Sequence, residues 1–268
     1  MVSRIEKRFK ELKKDGRKAL IPYIMVGDPD LTTTEELVIE IERAGADMIE
    51  LGVPFNDPLA DGPAIQKAGE RGLKNKVSLR DVFAIVKRLR EKTEIPLIIM
   101  TYYNLIFRYG EDAFARDAVG SGIDGVIIPD LPPEEGDNFI KASRLSGLDT
   151  IFLTAPTSTE ERINKIAKVS RGFIYHVSLT GVTGSRLGTV ESIRESVDIV
   201  RRYSRLPVAV GFGVSSPEQA SVVTEFADGV IVGSAVVRII ENNFSSPTTL
   251  KTEVYRFIAS LRKGIDEF

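Results

Sequence analysis

Four segments of the sequence repeat one design, and this repeat limits the fold more than any other feature. They read AGADMIEL (44–51), SGIDGVII (121–128), SGLDTIFL (146–153) and FADGVIV (226–232). In each, a small residue or glycine ends a helical pattern, an aspartate follows, and an apolar run continues. Helix C-termini favour glycine and buried parallel strands are continuous apolar runs, so each segment predicts a helix, a turn and a strand.

Further strands are predicted along the chain, at 20–26, 96–102, 173–177 and 207–211. This gives about eight strands, each followed by a helix, at the spacing of roughly 30 residues that a βαβ unit needs. No Gly/Ser/Pro-rich linker divides the 268 residues. The pattern favours an α/β fold, a single (β/α)8 TIM barrel over residues 1–268, rather than a doubly wound sheet.

The N-terminal segment predicts an extra helix that covers the bottom of the barrel. Residues 3–6 match a capping box, and Ile5, Phe9 and Leu12 form an apolar stripe at helical spacing.

Composition excludes several classes of protein. The net charge is −2 with acids and bases mixed, so neither nucleic acid nor a membrane surface is expected as a partner. With no cysteine and one histidine, disulfides, thiol catalysis and a metal site are not expected. The charged N-terminal segment does not resemble a secretory signal, so the expected location is cytoplasmic.

Glu50 is the first candidate for catalysis. It interrupts the apolar run 48–53, and strand alternation puts Met48, Glu50 and Gly52 on one face and Ile49 and Leu51 on the other. If the Ile/Leu face packs on helices, Glu50 points into the barrel near the rim that carries catalytic groups. There burial raises a carboxyl pKa toward values useful for proton transfer. The alternative is a structural glutamate paired with a neighbouring basic residue.

Asp61 is the second candidate. It lies in the loop after the same strand, which Pro54, Pro58 and Pro63 stiffen, and a stiff loop holds a reactive group in place. The alternative is a helix N-cap, because Gly62-Pro63 follows.

The last quarter of the chain predicts a phosphate site. The predicted sixth, seventh and eighth strands are followed by SLTGVTGSRLG, GFGVSSPEQ and GSAVV. Glycine permits close backbone approach, and N–H groups at a helix start attract anions. The loop 178–188 has the polar composition of a lid. His176 alternates with Tyr175 and is predicted to be buried and structural if Tyr175 faces inward. No lysine falls within the predicted strands, which disfavours a Schiff-base mechanism.

Several motifs together resemble the α subunit of tryptophan synthase over nearly the whole chain. They are ELGVPFNDPLADGPAIQ, IPYIMVGDPD, GVTG, GFGV and VGSAVV. The resemblance implies a (β/α)8 barrel and a lyase of tryptophan biosynthesis, which cleaves indole-3-glycerol phosphate to indole and glyceraldehyde 3-phosphate by a retro-aldol reaction.

By this resemblance, Glu50 carries protons to and from the substrate and Asp61 holds the indole N–H. The other site residues that the resemblance implies fall into two groups. The substrate wall comprises Tyr23, Ile65, Met100, Ile127, Leu153, Tyr175 and Thr183, of which Tyr23, Ile65, Met100, Ile127 and Leu153 are equally compatible with plain barrel core. The phosphate site comprises Gly184, Phe212, Gly213, Gly233 and Ser234.

The resemblance also implies a β subunit as partner, in an α2β2 heterotetramer. That subunit carries pyridoxal phosphate, and this chain is expected to bind no cofactor. The residues expected at the partner interface are Pro54, Asp57, Pro58 and Asn104. Two alternatives remain from the residues alone, an isomerase acting on a sugar phosphate and a non-catalytic phosphate-binding barrel.

Overall fold

The computed structural model describes residues 2–178, 189–211 and 213–267. Within these ranges every strand is followed by one or two helices, except that β5 runs on into β6. The strands are β1 (Ala19–Met25), β2 (Ile49–Gly52), β3 (Leu97–Met100), β4 (Gly125–Ile127), β5 (Asp149–Ile151), β6 (Leu153–Thr154), β7 (Ile174–Val177), β8 (Val208–Gly211) and β9 (Gly229–Val232).

Helices follow the strands and surround them. They are α1 (Arg4–Lys14), α2 (Leu31–Arg43), α3 (Pro63–Lys74), α4 (Leu79–Leu89), α5 (Tyr103–Tyr109), α6 (Glu111–Ser121), α7 (Asp137–Ser146), α8 (Glu160–Val169), α9 (Val190–Tyr203), α10 (Pro217–Thr224), α11 (Ser234–Asn243) and α12 (Pro247–Asp266). None of the helices in the described ranges has the length and apolar composition that a membrane crossing requires.

The strands form one parallel sheet in the order β5-β4-β3-β2-β1-β9-β8-β7-β6. Its end segments, β5 and β6, are consecutive pieces of one stretch interrupted at Phe152. Because β5 pairs with β4 and β6 pairs with β7, this interrupted strand closes the sheet into a barrel. The predicted TIM barrel is confirmed, with its fifth strand split in two.

Strand alternation separates two apolar regions. The outward side chains, such as Ile49 and Leu51, join a large buried cluster between the sheet and the helices. The inward side chains, such as Met48 and Ile98, form a second cluster inside the barrel. Residues two apart on a strand therefore share one environment, which determines the side of the sheet that carries each polar residue.

Helix α1 closes the N-terminal end of the barrel, as predicted. Ile5, Phe9 and Leu12 are buried in the interior cluster, and the rings of Phe9 and Phe173 lie 5.7 Å apart. Ser3 caps the helix by accepting the Glu6 N–H at 3.2 Å. The predicted reciprocal half of the capping box is not formed, because the Glu6 carboxylate pairs with Lys10 Nζ at 2.6 Å.

Three of the four repeat aspartates fasten neighbouring strands together at this same end, whereas Asp149 accepts the Ser3 hydroxyl instead. Asp47 accepts the Leu20 N–H at 2.7 Å, and Asp124 accepts the Leu97 N–H at 2.9 Å. In the last repeat, Asp228 accepts the Val208 N–H at 2.9 Å. A carboxylate that accepts a backbone N–H forms a strong, charge-assisted hydrogen bond, so the repeated aspartate sets the start of the adjacent strand.

Candidate active site

A cavity of about 570 Å³ opens at the C-terminal ends of the strands. It is lined by Tyr23, Glu50, Ala60, Asp61, Gly62, Pro63, Ala64, Ile65, Met100, Pro129, Leu153, Tyr175, Val177, Ser178, Gly211, Gly213, Ile231, Gly233, Ser234 and Arg238. These residues come from most of the barrel strands and the loops that follow them. In barrels of this kind, catalytic sites lie at this end.

A cavity of similar volume, about 610 Å³, lies at the opposite end beside α1. Its arginines are held in ion pairs, Arg4 with Glu94 at 2.6 Å and Arg8 with Asp47 at 2.7 Å. The charges there neutralise one another, so the cavity with the two candidate acids is the better site for chemistry.

Glu50 is a buried carboxyl group inside the barrel. It lies beside Tyr23 of β1 and Ile98 of β3 in the strand register, and it is 1% exposed. Neither of its carboxyl oxygens has a hydrogen-bond partner among the described residues. Burial, with a further contribution from the charge of Asp61, raises its pKa from 4.5 to about 8. The structural alternative of an ion-paired glutamate is therefore not observed.

Asp61 also lines the cavity, in the loop before α3. The N-cap of α3 is Gly62, which makes no side-chain cap, so Asp61 does not perform the capping role. Burial raises the pKa of Asp61 from 3.8 to about 6, and the nearby Tyr102 hydroxyl limits this rise. At pH 7 the two acids therefore differ in charge, with Glu50 mostly protonated and Asp61 mostly ionised.

Tyr102 holds the Asp61 loop in place, a role that the sequence did not indicate. Its hydroxyl oxygen accepts the Ala60 N–H at 3.1 Å. Its ring stacks on Phe55 of the same loop, with ring centroids 4.9 Å apart. The backbone next to Asp61 is thus fixed from the end of β3, in addition to the stiffness that its prolines provide.

Two tyrosines of the cavity each lie against a glycine of an adjacent strand. A Cβ atom at Gly52 would overlap the Tyr23 hydroxyl, and one at Gly211 would lie 2.7 Å from the Tyr175 hydroxyl. Both glycines therefore make room for the tyrosine rings. They were missed as site residues, although an inward-facing glycine in a strand is a known signal of close approach.

The phosphate end of the cavity combines a glycine turn with a helix start. Gly213 has a φ of +65°, a conformation that favours glycine. Gly233 is the N-cap of α11, and Ser234 is its first residue, with no side chain capping the helix. The first N–H groups of α11 are therefore available to an anion. Arg238, one turn further along α11, also lines the cavity and was missed.

The structure brings ten of the predicted site residues to this cavity. They are Tyr23, Glu50, Asp61, Ile65, Met100, Leu153, Tyr175, Gly213, Gly233 and Ser234.

Ile127 is not among the residues that line the cavity. It is 0% exposed and belongs to the interior cluster with Ile98 and Ile151. Its place in the substrate wall stays a prediction. Three further predicted residues, Thr183, Gly184 and Phe212, lie outside the described residues.

The residues expected to meet a partner lie away from the cavity. Asp57 and Asn104 are exposed, and Pro58 is half-buried. Pro54 is buried, with its ring against Gly72 of α3. The assignment of these residues to a partner interface stays a prediction.

His176 is buried on the outward side of β7, at 1% exposure. Its Nδ1 lies 3.0 Å from Thr154 Oγ1, and burial lowers its pKa to about 4. The imidazole is neutral at pH 7 and does not line the cavity, as expected of a structural histidine. In the described part of the chain, no group of three or more potential ligands could hold a metal ion.

Fold and cavity together define the class, a TIM barrel whose cavity contains two carboxyl groups and the uncapped start of a helix. The family model described as "Tryptophan synthase alpha chain" matches residues 9–266. The chain belongs to this family. The resemblance seen in the sequence motifs is confirmed, and with it the assignment to a lyase of tryptophan biosynthesis rather than to an isomerase or a non-catalytic barrel.

Similar proteins cover the whole chain. The tryptophan synthase alpha chain of Geotalea daltonii is 50% identical over 264 residues, which is 98% of this chain and 99% of the relative. The crystal structure of tryptophan synthase subunit alpha from Legionella pneumophila has a TM-score of 0.93 at 38% identity and covers 100% of both chains. A tryptophan synthase structure from M. tuberculosis has a TM-score of 0.87 at 37% identity, with 98% of this chain and 99% of that chain covered.

Proposed function

We propose that this chain cleaves indole-3-glycerol phosphate to indole and glyceraldehyde 3-phosphate, with Glu50 and Asp61 as its catalytic residues. Family membership supports the reaction class. The observation that carries the residue assignment is the buried, unpaired carboxyl group of Glu50, which shares one cavity with Asp61.

Glu50 acts first as an acid. With a pKa of about 8, it is mostly protonated at pH 7 and has a proton to give to C3 of the indole ring. Protonation at C3 turns the ring into an electron sink, and the carbon–carbon bond to the side chain can then break.

Asp61 stabilises the cation that this protonation creates. With a pKa of about 6, it is mostly ionised at pH 7, and it accepts the indole N–H. A fixed anion beside the nitrogen favours the transition state because its position is set before the reaction begins. The loop contacts of Tyr102 keep the carboxylate in place.

Bond cleavage then returns the proton carrier to its starting state. The Glu50 carboxylate accepts the proton of the C3′ hydroxyl, and that carbon becomes the aldehyde of glyceraldehyde 3-phosphate. The bonding electrons move into the ring and regenerate neutral indole. Glu50 has by then given one proton and accepted one, so the cycle closes without a cofactor.

The substrate phosphate binds in the part of the cavity formed by Gly213 and the start of α11. Gly213, Gly233 and Ser234 support this position, since they combine a glycine turn with the uncapped start of α11. Thr183, Gly184 and Phe212 complete this part of the proposal from the family resemblance alone.

The proposal includes a β subunit that carries pyridoxal phosphate and receives the indole, in an α2β2 complex. The exposed side chains of Asp57 and Asn104 support a partner face next to the cavity. It also includes one folding domain over residues 1–268. A cytoplasmic location is consistent with a sequence that contains no cysteine.

The test is release of indole from indole-3-glycerol phosphate by the purified chain, alone and with a β subunit. We expect indole in both cases, and a matched variant at the opposite end of the barrel, Glu94→Gln, should behave like the unmodified chain. No indole in either case would overturn the proposal.

A further inference from the structure

Among the described residues that line the cavity, Arg238 is the only basic one. The other ionisable groups there are acids and tyrosines, namely Glu50, Asp61, Tyr23 and Tyr175. A phosphorylated substrate brings further negative charge into a space that already holds the Asp61 carboxylate. Neutral backbone N–H groups of Gly213 and α11 only partly offset this repulsion, so a cation at the cavity has a specific electrostatic role.

The position of Arg238 on α11 directs its side chain toward the proposed phosphate site. Ser234 and Arg238 are four residues apart and therefore lie on the same face of the helix. Side chains on a helix lean toward its N-terminus, so a long arginine covers the turn before its own Cα. That turn is the one that begins at Ser234, where the uncapped N–H groups lie.

The nearest acidic residue to Arg238 on the same helix does not form an ion pair with the Arg238 guanidinium. Glu241, three residues further along, pairs instead with Arg71 at 3.4 Å and Lys67 at 3.8 Å, both on α3. Arg238 is also exposed, so it can reorient when an anion arrives.

We propose that Arg238 is a specificity-determining residue that selects phosphorylated substrates by placing its guanidinium on the phosphate held at the start of α11. This inference rests on the proposed function. Guanidinium groups bind phosphate oxygens through paired hydrogen bonds, which a lysine at the same position provides only in part.

The experiment compares Arg238→Gln and Arg238→Lys with the unmodified chain in steady-state cleavage of indole-3-glycerol phosphate. Arg256→Gln serves as the matched control, because Arg256 is exposed on α12, 70% by side chain, and does not line the cavity. We expect Arg238→Gln to raise KM roughly five- to tenfold, with kcat within about twofold. Arg238→Lys should raise KM less, and Arg256→Gln should leave both constants unchanged.

Two further measurements separate phosphate recognition from a general structural effect. Inorganic phosphate should inhibit the Arg238→Gln variant more weakly than the unmodified chain. The KM for the unphosphorylated indole glycerol should be the same for both, and the salt dependence of KM should be smaller in the variant. If Arg238→Gln fails to fold, the intermediate KM of Arg238→Lys still tests the inference.

An unchanged KM in Arg238→Gln, or an equal rise for the unphosphorylated compound, would overturn the inference about Arg238. It would leave the proposed function intact as long as the unmodified chain releases indole. Failure of the unmodified chain to release indole would instead remove the proposed function.

Discussion

At the scale of single residues, the two acids differ in what their substitution should do. Glu50→Gln keeps the shape and removes the titrating group, so turnover should fall by about 10³-fold or more, since both proton transfers are lost. Asp61→Asn removes a preorganised charge and should slow turnover by about 10²- to 10³-fold. Inhibition by inorganic phosphate should change little in either variant, because the start of α11 is untouched. Near-normal turnover would refute the role of the residue concerned.

The pH profile of the cleavage rate should also separate the two groups. The reaction needs Asp61 ionised and Glu50 protonated, so kcat/KM should rise through about pH 6 and fall above about pH 8. The substrate phosphate also titrates at about pH 6, so the acid limb cannot be assigned to Asp61 alone. The alkaline limb is therefore the one that identifies Glu50.

A variant extends this test of the alkaline limb. Because the charge of Asp61 helps to raise the pKa of Glu50, Asp61→Asn should shift the alkaline limb of its residual activity to lower pH. A rate that stays constant from pH 7 to 10 in the unmodified chain would show that Glu50 does not titrate as proposed.

The buried carboxyl group should also weaken the fold as the pH rises. In the folded chain Glu50 keeps its proton up to about pH 8, whereas a solvated glutamate ionises near 4.5. The unfolded state is therefore favoured progressively between these values, by up to about 5 kcal/mol above pH 8 and ~3 kcal/mol at pH 7. Glu50→Gln removes this penalty and should be more stable than the unmodified chain at pH 8 but similar near pH 5. Urea unfolding of both proteins at pH 5 and pH 8 measures their free energies of unfolding. A difference between the two proteins that does not change with pH would contradict this expectation.

At the scale of elements, the three repeat aspartates that bind a neighbouring strand should contribute to stability rather than to turnover. Asp124 is 5% exposed by side chain and is paired with Arg90 at 2.7 Å, in addition to its bond to Leu97 N–H. Asp124→Asn leaves the Arg90 charge without its partner and should lower the free energy of unfolding by about 3 kcal/mol.

Glu94→Gln is the control for this substitution, since Glu94 and Asp124 both contact Arg4. Glu94 is 77% exposed by side chain, so its loss should change stability by less than about 1 kcal/mol. Turnover per folded molecule should be normal in both variants, because these residues lie at the end of the barrel away from the cavity. Equal losses of stability would contradict a special role for the repeated aspartate.

The sequence predicts the elements well because their signals are local. Continuous apolar runs, glycine helix ends and the alternation around Glu50 each lie within about ten residues, and the barrel follows from their repetition. Contacts between distant parts of the chain are not encoded in this way. The Asp28–Arg71 ion pair, 43 positions apart, and the packing of Tyr102 on the Asp61 loop depend on which elements become neighbours.

The same limit applies to the residues that line the cavity. Ile127 and Met100 are register neighbours on adjacent strands, yet only Met100 lines the cavity. Alternation predicts which face a side chain takes, but the depth at which the packed interior gives way to the cavity depends on all strands together. Arg238 was missed for a related reason, because an arginine on an amphipathic helix has the sequence signal of an ordinary exposed residue.

At the scale of the whole molecule, the two ends of the barrel have separate tasks. The N-terminal end holds α1, the strand-fastening aspartates and their ion pairs, all of which contribute to stability. The C-terminal end holds the buried Glu50, the half-buried Asp61, the uncapped start of α11 and exposed loops, and it contains an unfavourable feature, an unpaired buried carboxyl group. Stability at one end permits such a feature at the other.

We propose that the β subunit binds at the C-terminal end, where the loop that carries Asp61 meets the solvent. Asn104 is exposed at the start of α5, directly after Tyr102 and Tyr103, so a partner bound there would contact the element that holds the Asp61 loop.

Asn104→Lys introduces a charge at this face and should weaken association with the β subunit about tenfold, because an interface with a desolvated, unmatched charge is penalised. The stimulation of indole release by the β subunit should fall in parallel. Calorimetric titration measures the association, and Asn242→Lys, an exposed position near the end of α11, is the matched control. Equal affinities of the two variants for the β subunit would place the partner on another surface.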